Sequence, residues 1–147
     1  MAIRVIVSGV DTVIPELREL PKTAERTVLA RMSQVAYDSA QKSIDTHHKT
    51  GALRRSLYNR TIPNGREVGN DPLAAPHAKF VHWGTKPHDI RPKNKSALRW
   101  VSGSAFVFSR VVHHPGYRGD PYLLAAADNA IRQFSALVDA SFKELKP

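Results

Sequence analysis

The amino-acid sequence predicts one α+β domain covering residues 1–147, in which a long helix in the N-terminal half and a C-terminal helix pack on an antiparallel sheet. Two stretches with apolar residues at helical spacing flank a central region of β-prone segments. The 147 residues, of which 41% are hydrophobic, suit a single domain. The chain contains no cysteine, so this fold does not depend on a disulfide.

The first half of the chain is predicted to contain a strand followed by the long helix. Residues 2–10 are rich in β-branched side chains, which indicates a strand that ends in a turn at Gly9. Pro15 and Pro21 indicate a linker or a short helical turn after it. Residues 22–46 form a predicted amphipathic helix, because its apolar face recurs at helical spacing. The residues on that face are Val28, Met32, Val35, Ala36, Ser39 and Ala40.

A hairpin is expected after the long helix, which should end before Gly51. Leu53–Ile62 and Arg66–Val68 are predicted strands, and Pro63-Asn64-Gly65 between them contains an Asn-Gly pair typical of hairpin turns. A proline-bounded loop follows. Residues 79–84 then suit either a strand or a short helix.

The central region continues with a predicted loop and a second pair of strands. Residues 86–95 contain two prolines and five basic or histidine side chains, which indicates an exposed loop. Leu98–Trp100 and Ala105–Val112 are predicted strands with a turn at Gly103. Four aromatic side chains lie in apolar segments of this region, so we expect them to pack in the core. They are Phe80, Trp100, Phe106 and Phe108.

The last predicted element is one long helix that begins at Gly119-Asp120-Pro121. Asp120 is the expected N-cap residue, and Pro121 suits the first helical position. The expected apolar stripe extends over about six turns. It consists of Leu124, Ala127, Ile131, Phe134, Val138 and Phe142.

Positive charge is concentrated in the middle of the chain. The formal net charge is +9, and residues 46–118 alone carry thirteen basic and three acidic side chains, a net charge of +10. Residues 1–45 are neutral overall, and residues 119–147 carry −1. Such a segregated charge attracts nucleic acid or an acidic protein surface, although basic loops also serve simply to keep a protein dissolved.

The sequence offers no convincing catalytic set. Seven histidines suggest metal binding, but there is no His-Glu-x-x-His helix, and two of the histidine pairs are directly adjacent in sequence. Asp89 and Asp120 are the only acids between Lys79 and Tyr122, which argues against a catalytic carboxylate pair. Gly-x-Ser-x-Gly and phosphate-binding glycine motifs are missing as well. We therefore expect no enzymatic activity, no metal and no cofactor.

No segment of the sequence has the composition of a membrane span or of a signal peptide. The apolar run near the N-terminus is short, and no later run approaches the ~18–20 apolar residues that cross a bilayer. We expect a cytosolic protein without a membrane partner.

Residues 79–123 carry a recognisable pattern. It comprises Phe80-Val81-His82-Trp83-Gly84-Thr85-Lys86-Pro87-His88, Ile90-Arg91-Pro92-Lys93-Asn94-Lys95-Ser96-Ala97-Leu98-Arg99-Trp100, Val107-Phe108, His114-Pro115-Gly116 and Gly119-Asp120-Pro121-Tyr122-Leu123, with Lys49-Thr50-Gly51-Ala52-Leu53-Arg54-Arg55-Ser56-Leu57 before it. This pattern resembles the small tail-component family of lambdoid and other long-tailed phages and prophages, whose members act in tail completion, in the neck or in head-tail joining. The likeness covers residues 45–125 in detail, and the flanking helices agree in character.

The resemblance implies a structural virion protein. Such a subunit assembles as a ring at the head-proximal end of the tail, seals the tail and docks it to the head. The expected partners are further copies of the chain, in a six-fold or alternatively twelve-fold ring, together with connector and tail-terminator or tube proteins. DNA would pass through the lumen without sequence-specific contacts, and assembly would take place in the host cytoplasm.

A ring multiplies the central positive charge and so directs it at a lumen or an acidic neighbour. The predicted surface consists of Arg54, Arg55, Lys86, Arg91, Lys93, Lys95 and Arg99. We expect the N-terminal strand or residues 86–95 to add to a neighbour's sheet edge, and deletion of residues 86–95 to leave a folded monomer that does not assemble.

Two other classes of function stay open on the sequence alone. A basic nucleic-acid-binding module would use the positive charge and the interleaved aromatic side chains, and its affinity would fall with salt. A histidine-metal hydrolase, or a toxin-like nuclease, would bind metal and would lose cleavage when His88 or His114 is changed.

Overall fold

The computed structural model describes residues 3–7, 22–47, 51–63 and 65–145. It confirms the α+β class, with a long helix in the N-terminal half, antiparallel strands and helices near the C-terminus. The predicted turn at Gly9 and the linker with Pro15 and Pro21 lie outside the described residues.

A three-stranded antiparallel sheet forms one layer of the domain. Strand β1 (Arg4–Val7) and strand β2 (Leu57–Ile62) lie on either side of β3 (Gly65–Asn70). Ile62 pairs with Gly65, so the predicted hairpin is confirmed, although Asn64 lies outside the described residues. Because β3 occupies the centre of this sheet, Val68 is buried where the helices cover it.

Helix α1 (Lys22–Ile44) confirms the predicted long helix, and a 3-10 turn (Asp45–His47) ends it. It contacts β2 and β3 on one side. The C-terminal half of α1 contributes Ala36, Ala40 and Ile44 to the main core. The N-terminal half forms a second apolar cluster, in which Val28, Leu29 and Met32 pack against Phe134, Leu137 and Val138.

The segment before β2 is helical, so the prediction of a strand from Leu53 was wrong. Helix α2 (Ala52–Arg55) follows Gly51, whose φ of 70° is left-handed. Its turn closes through the Arg55 N–H to Gly51 carbonyl bond of 3.0 Å. Leu53 is buried in the main core, and a helical turn brings it there immediately before the strand begins at residue 57.

The C-terminal region differs from the predicted single helix. Helix α4 (Tyr122–Arg132) and helix α5 (Phe134–Leu145) are separated at Gln133. The buried face of α4 consists of Tyr122, Leu123, Ala126 and Ala130 rather than the predicted stripe, in which Leu124 and Ile131 are exposed. Small residues on both α1 and α4 let the two helices approach closely, so alanines form the contact that larger residues were expected to make.

The predicted N-cap role of Asp120 was also wrong. The residue before α4 is Pro121, with φ −75° and ψ 55°, and no side chain among the described residues caps α4. The Asp120 carboxylate instead accepts a hydrogen bond from the Ser43 hydroxyl at 3.3 Å and lies 2.8 Å from His47 Nε2. Asp120 thus ties the start of α4 to the end of α1.

A chain of hydrogen bonds connects α4 to the sheet through the core. The Tyr122 hydroxyl donates to Asn70 Oδ1 at 2.5 Å. The Asn70 amide donates to Ser56 Oγ at 2.8 Å and to the Leu53 carbonyl at 3.1 Å. Each polar side chain in this series of hydrogen bonds is therefore paired, as low-dielectric surroundings require. Burial raises the pKa of Tyr122, so its hydroxyl keeps its proton.

The buried carboxylate of Glu67, on the outer side of the sheet, is paired with neighbouring polar and basic side chains. Glu67 accepts a hydrogen bond from the Tyr58 hydroxyl at 2.5 Å and lies 3.3 Å from Arg60. These bonds, with Tyr58 contributing most, lower the pKa of Glu67 although burial opposes the change. Arg4 adds a longer contact of 4.0 Å from β1. The cluster joins all three strands of the sheet.

Candidate functional site

The candidate site is an arm, which we define as residues 84–118. It leaves the domain after helix α3 (Ala78–Trp83) and returns before α4. The sequence left residues 79–84 open between a strand and a short helix, and residues 79–83 are helical. The arm carries seven basic side chains and one acidic one, a net charge of +6.

Close backbone contact joins the two ends of the arm. Thr85 and Tyr117 exchange backbone hydrogen bonds of 2.7 and 2.9 Å. Gly84, Gly116 and Gly119 all have positive φ. A Cβ atom at any of them would collide with the backbone of the segment that faces it in the same chain. Side chains larger than hydrogen are therefore excluded where the two ends cross, and the glycines of the quoted pattern are explained.

The next section of the arm is a short ladder, so the prediction that residues 86–95 form only a loop was wrong. Strand β4 (His88–Ile90) pairs antiparallel with β7 (Val112–His114). The two prolines of this stretch, Pro87 and Pro92, lie outside β4 and therefore do not interrupt its hydrogen bonds. All residues from 86 to 91 are nevertheless exposed, as predicted.

Histidine side chains meet across this ladder. The rings of His88 and His114 stack with centroids 5.0 Å apart, and His113 Nδ1 lies 2.5 Å from the Asp89 carboxylate. Asp89 also lies 3.6 Å from Arg91. Nowhere among the described residues do three or more histidine, aspartate or glutamate side chains approach closely enough to hold a metal ion.

The outer end of the arm is a hairpin of β5 (Leu98–Ser102) and β6 (Ala105–Ser109), with the predicted turn at Gly103. Arg99 pairs with Phe108 and Val101 with Phe106, so these four side chains share one face of the ribbon. We call it the outer face. The Arg99 guanidinium lies over the Phe106 ring, 4.7 Å from its centroid.

The predicted core packing of the aromatic residues was wrong. Phe106 and Phe108 on the outer face are 59% and 64% exposed, and Trp100 and Phe80 are exposed as well. Every residue from 99 to 106 is exposed, because the hairpin has no second layer of the described chain against either of its faces. β-propensity predicted strands here, but the predicted Ala105–Val112 strand ends at Ser109 and Val112 belongs to β7. It also gave no information on whether the hairpin is covered.

The seven predicted basic residues fall into two groups. Five of them lie on the arm: Lys86, Arg91, Lys93, Lys95 and Arg99. Those at positions 91, 93 and 95 lie in the connection between β4 and β5, which we call the basic loop (residues 91–97). Arg54 and Arg55 lie on α2, outside the arm, and Arg54 forms an ion pair of 3.1 Å with Asp45. The structure thus brings together the five arm residues in one protruding element.

An open groove lies where the arm joins α3. It has a volume of about 1040 Å³, and its lining includes Phe80, Val81, Pro87, Ile90 and Tyr117. The lining is mostly apolar, with Lys86 and histidines at its margin. The groove offers packing surface but no set of groups arranged for acid-base or nucleophilic chemistry.

His82 occupies the junction between arm and domain. Its side chain is buried, and neither ring nitrogen has a hydrogen-bond partner among the described residues. The ring packs edge-on against Trp83 and Tyr122. Burial lowers the pKa of His82, and the carboxylate of Asp120 opposes this effect. His82 is therefore a neutral packing residue.

We compared the chain with protein-family models, with curated proteins and with solved structures, and nothing matches. The likeness to phage tail components therefore stays a prediction from the residues quoted above. Within the described ranges, none of the helices combines the length and the apolar character needed to cross a membrane.

Proposed function

We propose that this chain is a structural virion protein that forms a ring at the head-proximal end of a long-tailed phage tail and acts in tail completion and head-tail joining. The observation that carries the proposal is the arm: an exposed apolar face beside a basic loop, projecting from a well-packed domain. Exposed apolar surface of this kind is typical of a surface that a partner covers.

The residues that resemble the phage family determine the structure of the arm. Gly84, Gly116 and Gly119 allow its two ends to cross, and the segment from Thr85 to Tyr117 forms the projecting element itself. This use of the pattern supports an assembly role, because the pattern builds a surface and contributes no set of catalytic side chains.

Charge gives the two parts of the arm different partners in this proposal. The outer face combines aromatic side chains with an arginine, the composition of protein interface centres. The basic loop carries Arg91, Lys93 and Lys95 and would face DNA in the lumen or an acidic neighbouring ring. Contacts with DNA would be to phosphates and independent of base sequence.

The test is electron microscopy of particles from a phage that lacks this gene. We expect separate filled heads and unattached tails, or tails of abnormal length, and rescue by the intact gene supplied in trans. Normal infectious particles from the deletion phage would exclude the proposed role.

A truncated arm provides the matching rescue experiment. Ile90 and Val112 are paired across the β4–β7 ladder, so residues 91–111 can be replaced by an Asn-Gly turn without removing either strand. This is cleaner than deletion of residues 86–95, which removes β4. The truncated protein should fold and fail to restore joined particles, and Arg26→Gln, an exposed position on α1 outside both the arm and the predicted basic surface, should restore them.

The exposed aromatic residues also favour a second candidate, a module that binds single-stranded nucleic acid. Phe106 and Phe108 are accessible for base stacking, and the arm supplies a net charge of +6. Fluorescence anisotropy with labelled oligonucleotides tests this reading. Affinity that falls steeply with salt and is lost in Phe106→Ala would support it, whereas salt dependence without any effect of Phe106→Ala would indicate charge attraction alone.

A further inference from the structure

The outer face of the hairpin has a definite arrangement of charge and apolar surface. Arg99 is paired with Phe108 and reaches over the ring of Phe106, so its guanidinium lies between two exposed aromatic side chains. Phe106 and Phe108 are two residues apart on one strand, which places them about 7 Å from each other. The face therefore presents a cation flanked by two apolar groups.

Helix α4 presents the opposite arrangement on its exposed side. Leu124, Asp128 and Ile131 are spaced by four and three residues and lie on one stripe of the helix, which we call the α4 stripe. Leu124 is 47% exposed and Ile131 is 63% exposed. The helical rise places these two residues about 10 Å apart, with the Asp128 carboxylate between them.

Asp128 is free to accept a partner from outside the chain. It is exposed and forms no ion pair or side-chain hydrogen bond with the residues that the structure describes. Arg99, likewise, has the Phe106 ring as its contact and no ion pair within the described ranges. The ring holds the guanidinium in place, so little side-chain freedom is lost when a carboxylate binds it.

We propose that the outer face of one copy of this chain docks on the α4 stripe of a second copy, with Arg99 bound to the second copy's Asp128 and Phe106 and Phe108 packed against its Leu124 and Ile131. The inference deepens the proposed function and rests on it, because it names the contact that would link neighbouring subunits of the ring. The two surfaces are different parts of the chain, so the contact is head-to-tail and leaves each bound copy with a free outer face or a free stripe for the next.

Charge complementarity selects this occupant. The outer face carries Arg99 and no acidic residue, and Asp128 is the charged residue between Leu124 and Ile131 on the α4 stripe, with Arg132 one helical turn beyond it. The groove at the base of the arm is a poorer receptor for the hairpin, because its margin carries Lys86 and histidines rather than an acid. Docking on α4 also leaves the basic loop uncovered by the contact, so its charge stays available for DNA.

Cross-linking of two cysteine variants tests the contact directly. The chain has no native cysteine, so Val101→Cys on the outer face and Ala125→Cys beside the α4 stripe each introduce a unique thiol and leave the proposed contact residues in place. One variant carries a mass tag, the two are mixed at about 1 mM, a concentration that detects even weak association, and a short bismaleimide is added. We expect dimers that contain one copy of each variant, and few dimers from either variant alone.

Three results would overturn the proposal. The first is the absence of mixed dimers, and the second is a dominant dimer of Val101→Cys with itself, which means that outer faces pair with each other. The third comes from a chain carrying both cysteines: a cross-link confined to one chain means that the arm folds back on its own α4.

A charge exchange identifies the pair that determines the docking. Arg99→Asp in the arm donor, or Asp128→Arg in the acceptor, should each reduce the mixed cross-link about tenfold, and the combination of both variants should restore it. Arg118→Asp, a charge change at the base of the arm and away from the hairpin, is the control and should leave the yield unchanged. Equal loss in the control and in Arg99→Asp would mean that overall charge, not this pair, drives association.

These results are independent of the phage experiment. Normal cross-linking together with normal particles from the deletion phage would keep the contact and exclude the proposed function. Failed cross-linking together with unjoined heads and tails would keep the function and exclude this contact.

Discussion

The domain and the arm of this protein use similar residues to opposite effect. In the domain, α1 and α4 meet through small side chains, and Tyr122 and Leu123 are fully buried between them and the sheet. On the arm, larger apolar side chains such as Phe106 and Phe108 lie in the open. The comparison shows that the domain contains its own core, whereas the apolar residues of the arm's hairpin are not covered by the part of the chain that the structure describes.

Charge follows the same division. The arm carries +6 of the total formal charge of +9, which leaves +3 for the rest of the chain. Two acidic groups of the domain are paired within it: Glu67 binds Tyr58 and Arg60, and Asp120 binds Ser43 and His47. The unbalanced charge is therefore located on the element that also exposes apolar surface.

Removal of one apolar side chain from each region should have the most unequal effects. Leu123→Ala leaves a cavity in the core and should lower the free energy of unfolding by about 2–5 kcal/mol. Phe108→Ala removes an exposed ring and should change it by less than about 0.5 kcal/mol. Urea unfolding followed by circular dichroism measures both. A comparable loss in the two variants would show that the arm belongs to the cooperative core.

At the junction between the two regions, a larger side chain, rather than a smaller one, should lower the free energy of unfolding. Gly84→Ala combines a φ of 78° with a collision against backbone of residues 117 and 118, and we expect a loss of about 1–3 kcal/mol together with opening of the arm base. Gly103→Ala has a φ of 62° but open space around it, so only the conformational cost applies. Hydrogen exchange at the Thr85 and Tyr117 amides measures the opening. Unchanged protection in Gly84→Ala would contradict the close crossing.

The hydrogen-bond chain of the core provides a smaller, more specific effect. Tyr122→Phe removes the donor to Asn70 and leaves the amide oxygen of Asn70 buried without it, at a cost of about 1–2 kcal/mol. Tyr117→Phe on the exposed arm is the matched control and should be close to neutral. Thermal unfolding of both variants tests this. Equal midpoints for the two variants would mean that the Asn70 oxygen finds another partner.

The domain was largely predictable from the sequence because its signals are local. The spacing of Val28, Met32 and Ala36 predicted α1, and the Asn-Gly pair predicted the β2–β3 hairpin. The face of α4 was missed because Ala126 and Ala130 weigh little in an apolar pattern, although they permit close helix contact.

The arm was predicted only in part because exposure depends on what lies opposite a residue. β-propensity predicted strands at Trp100 and Phe106, and apolar character then suggested burial that the structure contradicts. The charge of the basic loop was visible in the sequence, and five of the seven predicted basic residues do lie on the arm. The outer face needed the pairing register, since only Arg99 opposite Phe108 shows which side chains share a surface.

The smallest expected effect is a pH dependence that originates at His82, where domain and arm meet. Burial lowers the pKa of His82 in the folded protein, whereas the unfolded chain titrates near the ordinary value of about 6.5. The unfolded state therefore binds more protons in mildly acidic solution, and the free energy of unfolding should fall as the pH decreases below that value. His82→Phe keeps an aromatic ring between Trp83 and Tyr122 and should remove this part of the pH dependence.

Chemical denaturation of both proteins between pH 5 and pH 8, a range of about three units around the histidine value, measures the difference. The other described histidines are common to both proteins, so their contributions cancel in the comparison. Equal slopes in the two proteins would place the titrating group elsewhere. A flatter profile for His82→Phe, with higher stability in acid, would show that the buried, neutral His82 ring next to the base of the arm contributes to the stability of the folded domain.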